Sequence, residues 1–351
     1  MTKTILHILN TGSYSGAENV IITIIEGFRK YVNEDIRFIY VSLDGSIRDI
    51  LNKKNIEFEP MKKLTVKEVH RVINKYKPDL IHAHDFTASI ICAAASGKMP
   101  VISHLHNNSP WIKSYCLNSF IYGLSCIKYK RILGVSSSVF DEFVFGKQIK
   151  NKTQVVGNPI DIAKIVELAD KAEDTESFDI VFLGRLTEQK NPIRFINIIK
   201  QLTNEDRRVR AVMIGDGEMH DDVENEIKKY HLESNITLKG FLDNPYGILK
   251  NSKVLCIPSS WEGFGLVAVE ALALGKPVTA SPVGGLQNIV TNECGKLCNT
   301  DEDFAEEIYK LISQEKYYSD KSLSALKRAD EINNIREYIL NMEKMYKLYR
   351  R

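Results

Sequence analysis

Short runs of β-branched and other apolar residues alternate along the chain with longer segments whose apolar positions repeat at helical spacing. That is the pattern of parallel sheets covered on both faces by helices. In the first half it predicts strands at Thr4–Leu9, Ile36–Leu43, Leu80–Ala83, Val101–His104, Ile132–Val135 and Gln154–Val156, with Ala17–Phe28 and Val66–Tyr76 as the clearest helices. After Gly157-Asn158-Pro159 the alternation starts again, with a strand at Asp179–Leu183 and a helix opened by Asn191 as its cap and Pro192 at its first position. Further strands are predicted at Val209–Ile214, Ile236–Lys239, Val254–Ile257 and Pro277–Ala280. Each half reads as an α/β domain of Rossmann type, with ligands expected beyond the carboxyl ends of the strands. Two such domains facing each other would place a site in a central cleft. The final segment carries Ile335, Tyr338, Ile339, Met342 and Met345 at roughly helical spacing. Residues 1–160 and 161–330 are therefore expected to be two domains, and residues 331–351 a closing helix packed back toward the first.

Composition supports this without adding detail. The 351 residues, 44% hydrophobic and 26% charged, suit about two soluble domains and exclude collagen, coiled coils and disorder. Six scattered cysteines make no disulfide framework, and no secretory segment opens the chain. The most apolar stretch, Ile90–Ala95, falls far short of the roughly 20 residues of a membrane span. A cytoplasmic protein is expected. The net charge of +2 conceals an asymmetry: residues 1–160 hold 21 Lys+Arg against 13 Asp+Glu, a net +8, leaving 26 against 32 in the remainder. A basic half suits an anionic partner such as a membrane surface, and equally an ordinary solvated surface. No nucleic acid is expected as a partner.

The most specific stretch runs from Pro258 to Pro277, after a strand and into a helix. Gly263 and Gly265 allow close backbone approach at the turn, and the free N–H groups of the helix start make a site for an anion such as a diphosphate. If all the residues between them are helical, Glu262 and Glu270 lie about 12 Å apart along the axis, one carboxylate on either side of that anion. Carboxylates accept hydroxyl hydrogen bonds, so a sugar at one end and a ribose at the other is a sensible occupancy. The alternative is a capped helix whose outer face is merely charged. A second cluster, Gly184-Arg185-Leu186-Thr187-Glu188-Gln189-Lys190-Asn191, follows the first strand of the second half. There Arg185 and Lys190 could neutralise charge growing on a departing diphosphate. By itself the cluster would read as a solvated loop; alongside the first it reads as chemistry.

Histidines concentrate in the first half, as His82 and His84 after one strand and His104 and His106 after another. The spacing invites a zinc reading, but only Asp85 stands nearby to extend a ligand set, so a polar cleft wall is favoured and no metal is expected. Asp301-Glu302-Asp303 reads as a helix start rather than a metal motif, and Cys294 and Cys298 as buried thiols. Gly12-Ser13-Tyr14-Ser15-Gly16-Ala17-Glu18 is not a dinucleotide fingerprint. It is either a ligand-approaching loop or a simple connection.

Through these residues the chain resembles the group 1 glycosyltransferases, also called family 4, retaining enzymes of GT-B fold. The family's paired-glutamate signature is matched from Glu262 to Glu270, its phosphate-binding cations by Arg185 and Lys190, and its N-terminal glycine-rich loop by Gly12 to Ala17. The resemblance implies that Glu262 holds the donor sugar, that backbone at Gly263, Phe264, Gly265 and Leu266 binds sugar and phosphate, that Glu270 binds ribose, and that Gly16 also faces the donor. His106 would be the catalytic-cleft histidine alongside Glu262, Arg185 and Lys190, with His104 the other choice. No cofactor is implied, and the reaction would be metal-independent. The expected function is transfer of a sugar from a nucleotide diphosphate, UDP above all, to a glycan or lipid-linked acceptor in bacterial surface polysaccharide synthesis, including capsule and exopolysaccharide. The alternatives are a sugar-nucleotide epimerase of the same fold and a non-catalytic partner of another transferase. Between Trp111 and Arg131, aromatic residues Trp111, Tyr115, Phe120, Tyr122 and Tyr129 interleave with Lys113, Lys128, Lys130 and Arg131. They suit either peripheral contact with an anionic membrane at its inner face or a core with solvated cations.

Overall fold

A computed structural model describes residues 2–14, 16–173, 176–204 and 209–349. The chain divides into two compact units, one comprising Met1–Pro159 together with Asn334–Arg351, the other Ile160–Asn333. The return of the last segment to the first unit is a packing event. The Ile335–Tyr349 helix buries Tyr338, Ile339, Met342, Met345 and Tyr346, and it packs on the Gly16–Tyr31 helix. There the ring of Tyr346 stacks on Phe28, with centroids 5.4 Å apart.

The first unit is built on seven parallel strands, β1 (Lys3–Ile8), β2 (Ile36–Leu43), β3 (Glu57–Met61), β4 (Leu80–His84), β5 (Val101–Leu105), β6 (Tyr129–Gly134) and β7 (Thr153–Val155). Their spatial order is β3-β2-β1-β4-β5-β6-β7. The inner strands β4 and β5 are wholly buried, as a parallel strand covered on both faces must be. Their apolar runs are accordingly the ones most legible in the sequence. β3 is not legible there: Glu57, Glu59 and Pro60 do not read as a strand. It pairs only with β2, and an edge tolerates the missing proline N–H. Glu59 is held by Arg71, Lys75 and Tyr76, whose hydrogen bonds bring its carboxyl down to about 2 against the opposing effect of burial.

The second unit holds β8 (Ile180–Leu183), β9 (Ala211–Ile214), β10 (Ile236–Gly240), β11 (Val254–Ile257), β12 (Val278–Ala280) and β13 (Gly295–Leu297), ordered β10-β9-β8-β11-β12-β13. In both units the strand order reverses beside the first strand, which is the Rossmann arrangement. β13 also escaped the sequence pattern, being three residues long at an edge. The helix over Pro192–Asn204 begins at the proline, and the side chain of Asn191 accepts the Arg194 N–H at 3.3 Å. Asp301-Glu302-Asp303 opens a helix over Asp301–Ser313 with a capping box between Thr300 and Asp303. The six cysteines are free thiols, with Cys294 and Cys298 fully buried.

The aromatic segment divides in two. Tyr122 and Tyr129 are 0% and 1% exposed, so they belong to the core rather than to an interfacial surface. Tyr122 caps Ser103 at 3.0 Å and packs edge-on against Phe86. Tyr115 and Phe120 do face solvent, joined by Leu117, Ile121, Leu124 and Ile127 on and just past the Leu117–Ser125 helix.

Because Tyr346 is fully buried between Phe28 and the β-sheet, Tyr346→Ala should destabilise the first unit by about 3 to 5 kcal/mol, the usual cost of deleting a core aromatic ring. Each unit holds one tryptophan, Trp111 in the first and Trp261 in the second. Trp111 fluorescence in a Trp261→Phe background reports the denaturation midpoint, and an unchanged midpoint would mean that the helix does not dock.

Candidate active site

In the second unit the strand order reverses between β8 and β11, which are hydrogen-bonded neighbours. The loops that follow their carboxyl ends must diverge to opposite faces, opening the crevice in which such sheets bind ligands. Those loops are residues 184–191 and 258–265, the two clusters that the sequence singles out. They are stitched together by backbone. Ser260 N–H donates to the Gln189 carbonyl at 2.9 Å, and the Gln189 side chain donates to the Trp261 carbonyl at 3.1 Å.

Within this frame Glu262 is buried, and one of its carboxylate oxygens accepts from both Lys190 Nζ and Ser259 Oγ, the latter at 3.0 Å. An acid and a base placed 72 residues apart thus form one ion pair. Glu262 does not lie on the helix, which spans Leu266–Ala273, so the 12 Å axial separation from Glu270 does not hold. The intervening residues make a turn instead. Gly265 sits at φ 100° with Leu286 where a Cβ would be, and Gly284 sits at φ 51° with the Glu262 carbonyl 1.7 Å from where its Cβ would be. Only glycine fits at Gly284. That residue, absent from the sequence reading, is a backbone support for Glu262, and the Gly284-Gly285 pair was the signal that could have found it.

Glu270 lies on the second turn of the helix, partly exposed. Burial pushes its carboxyl up to about 7, while a hydrogen bond from Tyr246 and the charge of Lys190 pull it down. Lys190 therefore acts on both glutamates, and the fold brings all three together. Arg185 is different: it is exposed at the loop tip and, among the described residues, its guanidinium has no ion-pair partner. Arg185 and Lys190 share the loop after β8, and the helix that follows β11 starts with N–H groups that an anion could accept from.

The first unit carries the remaining candidates. Gly16 opens the Gly16–Tyr31 helix and is exposed, while Ser15 lies outside the described residues. Gly12 is pressed against the turn after β2, where Ile47 N–H donates to its carbonyl at 3.0 Å. His106, just beyond β5, is half-buried and accompanied by four other histidines, of which the sequence reading missed His7 on β1. Its place within the apolar run Ile5–Ile8 of a strand buried along its second half was the available signal. His7 Nδ1 lies 2.9 Å from His84 Nε2, and His84 Nδ1 lies 2.8 Å from His106 Nε2. Burial lowers all five, His7 and His106 to about 3, so the rings are neutral. Asp85, with a left-handed φ of 64°, accepts the His106 N–H at 3.0 Å and fixes the start of that loop.

Two parallel Rossmann-like sheets, with the Lys190–Glu262 pair at the switch point of the second, define the class, that of the GT-B glycosyltransferases. The chain belongs to the family described as "Glycosyl transferases group 1" over residues 164–328 and "Glycosyltransferase Family 4" over residues 14–164. An uncharacterized glycosyltransferase of Methanocaldococcus jannaschii is 30% identical over 235 residues, 61% of this chain and 58% of that protein. A Campylobacter jejuni α-1,4-N-acetyl-D-galactosaminyltransferase, named for a diNAcBac-PP-undecaprenol-linked glycan, is 25% identical over 78% of this chain and 77% of its own. The first curated relatives are matched over 58 to 66% of their length. The fold is shared with Anabaena HepE, whose crystal structure contains UDP and glucose, at a TM-score of 0.84, 21% identity and coverage of 98% of this chain and 99% of that one.

The position of Glu270 sets a pH dependence. A carboxyl titrating near 7 in the folded chain, against an ordinary value of 4.5, holds an extra proton in the folded state between those values. Its contribution to stability therefore falls as the pH rises through that window. Glu270→Gln removes the penalty, so the variant should gain on the parent between pH 5 and pH 8 by up to roughly 3 kcal/mol. Calorimetric melting temperatures at the two pH values check this. A constant difference would place Glu270 in a solvated setting.

Proposed function

We propose that the chain is a retaining glycosyltransferase that moves a hexose-type sugar from a UDP-sugar to a glycan or lipid-linked acceptor in bacterial surface polysaccharide synthesis, capsule or exopolysaccharide among them. The observation that carries this reading is the convergence of Lys190, Glu262 and Glu270 at the β8/β11 switch point, with Arg185 exposed on the same loop as Lys190. UDP in the HepE structure and the undecaprenol-linked glycan in the Campylobacter relative's name support the choice of donor and acceptor class.

In this mechanism the diphosphate lies over the start of the Leu266–Ala273 helix, along the backbone from Gly263 to Leu266. Glu270 accepts ribose hydroxyls and Glu262 accepts sugar hydroxyls. The bond from C1 to the diphosphate oxygen breaks as the acceptor oxygen bonds C1 from the same face, and the acceptor proton passes to the departing phosphate. Arg185, Lys190 and the helix N–H groups take up the charge that grows there, the task a divalent ion performs at other diphosphates. Glu262 holds Lys190 in place beforehand, so little reorganisation is needed at the moment of bond cleavage.

Incubation of the purified protein with a panel of nucleotide sugars tests the reading. UDP release is expected from one UDP-sugar, stimulated by a lipid-linked acceptor and surviving excess EDTA. Release from no donor would remove the reading. Epimerised sugar nucleotide without UDP release would favour an epimerase. Arg185→Ala should cost about 2.7 to 4 kcal/mol of transition-state stabilisation, a 10²- to 10³-fold loss of turnover. Turnover within threefold of the parent would take Arg185 out of the mechanism.

The acceptor class calls for a membrane-facing surface, and the proposed location is the inner face of the cell membrane. No helix among the described residues is long and apolar enough to cross a membrane. The first unit does expose Leu117 (74%) and Ile127 (75%) with Tyr115, Phe120, Ile121 and Leu124, and exposed Lys128 and Lys130 follow directly. Apolar side chains flanked by cations suit reversible docking on anionic lipid, each cation contributing about 1 kcal/mol near the surface. The protein should co-sediment with phosphatidylglycerol liposomes at low salt and be released at high salt, and Leu117→Glu/Ile127→Glu should abolish pelleting. Equal, negligible pelleting on anionic and neutral liposomes would exclude the surface.

A further inference from the structure

The five clustered histidines of the first unit are not accounted for by the sugar-transfer mechanism. Parallel register explains how they meet. His7 on β1 pairs with His82 on β4, and His84 on β4 pairs with His104 on β5. The two-residue spacings His82/His84 and His104/His106 keep each pair on one face of the sheet. The fold thus supplies, from neighbouring strands, the third ligand that each His-x-His pair lacks in the sequence. The rings lie close together: His82 and His104 have centroids 5.3 Å apart, His84 and His106 5.1 Å, and His104 and His106 4.2 Å.

Their hydrogen bonding is incomplete. His7 Nε2, His82 Nε2, both nitrogens of His104 and His106 Nδ1 are buried and have no hydrogen-bond partner among the described residues. A buried polar atom left in this way carries its full desolvation penalty. His104 is the extreme case, with 0% exposure and neither nitrogen engaged. Five such atoms in one cluster are a large deficit unless something binds there.

We propose that His84, His104 and His106 form a binding site for a divalent transition-metal ion of the zinc class. One candidate ligand nitrogen from each of the three lies within 4.8 Å of the other two. A tetrahedral zinc ion with bonds of about 2.0–2.1 Å needs about 3.4 Å between ligand nitrogens, which lies inside that limit, so small side-chain rotations that open the 2.8 Å His84 Nδ1–His106 Nε2 contact and draw in His104 complete the set. Imidazole nitrogen alone suits zinc, copper or nickel and disfavours magnesium or calcium. The surroundings are those of a supported metal ligand. His84 is tethered through Nε2 to His7 Nδ1 at 2.9 Å, which fixes its ring and directs Nδ1 toward His106, while Asp85 holds the His106 backbone. The alternative trio His7, His82 and His84 has its ligand atoms equally close, but all three rings are sealed from solvent and His82 Nδ1 is engaged by Tyr346 at 2.7 Å. His106, half-buried, gives the ion a way in that the other trio lacks. This site lies within the first unit, whereas Arg185 and Lys190 belong to the second, and the inference does not rest on the proposed transfer reaction.

Metal binding by the full chain tests it without an activity assay. Protein stripped with a chelator is dialysed against micromolar Zn²⁺ and its metal content measured by plasma mass spectrometry, and Co²⁺ is titrated in parallel for its visible d–d bands. A single equivalent of Zn²⁺ and a Co²⁺ spectrum of tetrahedral nitrogen ligation are expected. His104→Gln should weaken binding by about tenfold or more. His70→Ala, which alters an exposed histidine outside the cluster, should leave it unchanged. Imidazole ¹⁵N shifts of the parent protein on Zn²⁺ addition identify the ligands even if a variant fails to fold. Three assignments are overturning results: no stoichiometric metal with unshifted ¹⁵N resonances, which would leave ordered water as the occupant; full binding by folded His104→Gln; and shifts confined to His7, His82 and His84.

Discussion

The candidate site depends on one ion pair, Lys190 with Glu262, drawn across the gap between the loops that follow β8 and β11. A buried carboxylate without a partner would be strongly disfavoured, and a lysine on a free loop would spend most of its time in solvent. Pairing answers both and fixes both groups in the crevice of the sheet. Much of the local backbone serves that pair. The Gln189–Trp261 and Ser260–Gln189 hydrogen bonds hold the loops in register, and Gly284 admits the Glu262 carbonyl where any side chain would collide. The same lysine lies close enough to Glu270 to favour its ionised form. Through one cation, the two glutamates of the signature become electrostatically coupled.

The first unit solves a different problem, that of placing polar rings inside a parallel sheet. β1, β4 and β5 are covered on both faces, so histidines on them are desolvated and held neutral. Tyr346, from the far end of the chain, covers this face and bonds His82. The helix that carries it is thereby made part of the unit rather than an appendage. A polar layer of this kind demands partners more strictly than an apolar one, because each unmet nitrogen carries its own penalty.

How far the sequence could be read follows from where each signal resides. β4, β5 and β11 were legible because a buried parallel strand must be apolar along its length. The helix starts at Asn191-Pro192 and Asp301-Glu302-Asp303 were legible because a helix start is set by local residues within three or four positions. The edge strands β3 and β13 were not, since an edge needs neither apolar continuity nor every N–H. Tyr122 and Tyr129 stayed open between interface and core, because an aromatic ring beside a lysine looks the same from the sequence whether the ring points inward or outward.

The sequence by itself determined the alternation of strands and helices, the doubling of that alternation, and the residue types that a diphosphate and a sugar would need, because these are written in local spacing and composition. Only the tertiary structure decided that Lys190 would meet Glu262, that Gly284 would stand beneath it, that His7 would pair with His82 and that His84 would pair with His104. Those encounters bridge 20 to 75 positions of chain. They are set by strand order and register, and no periodicity along the chain encodes which strand lies beside which.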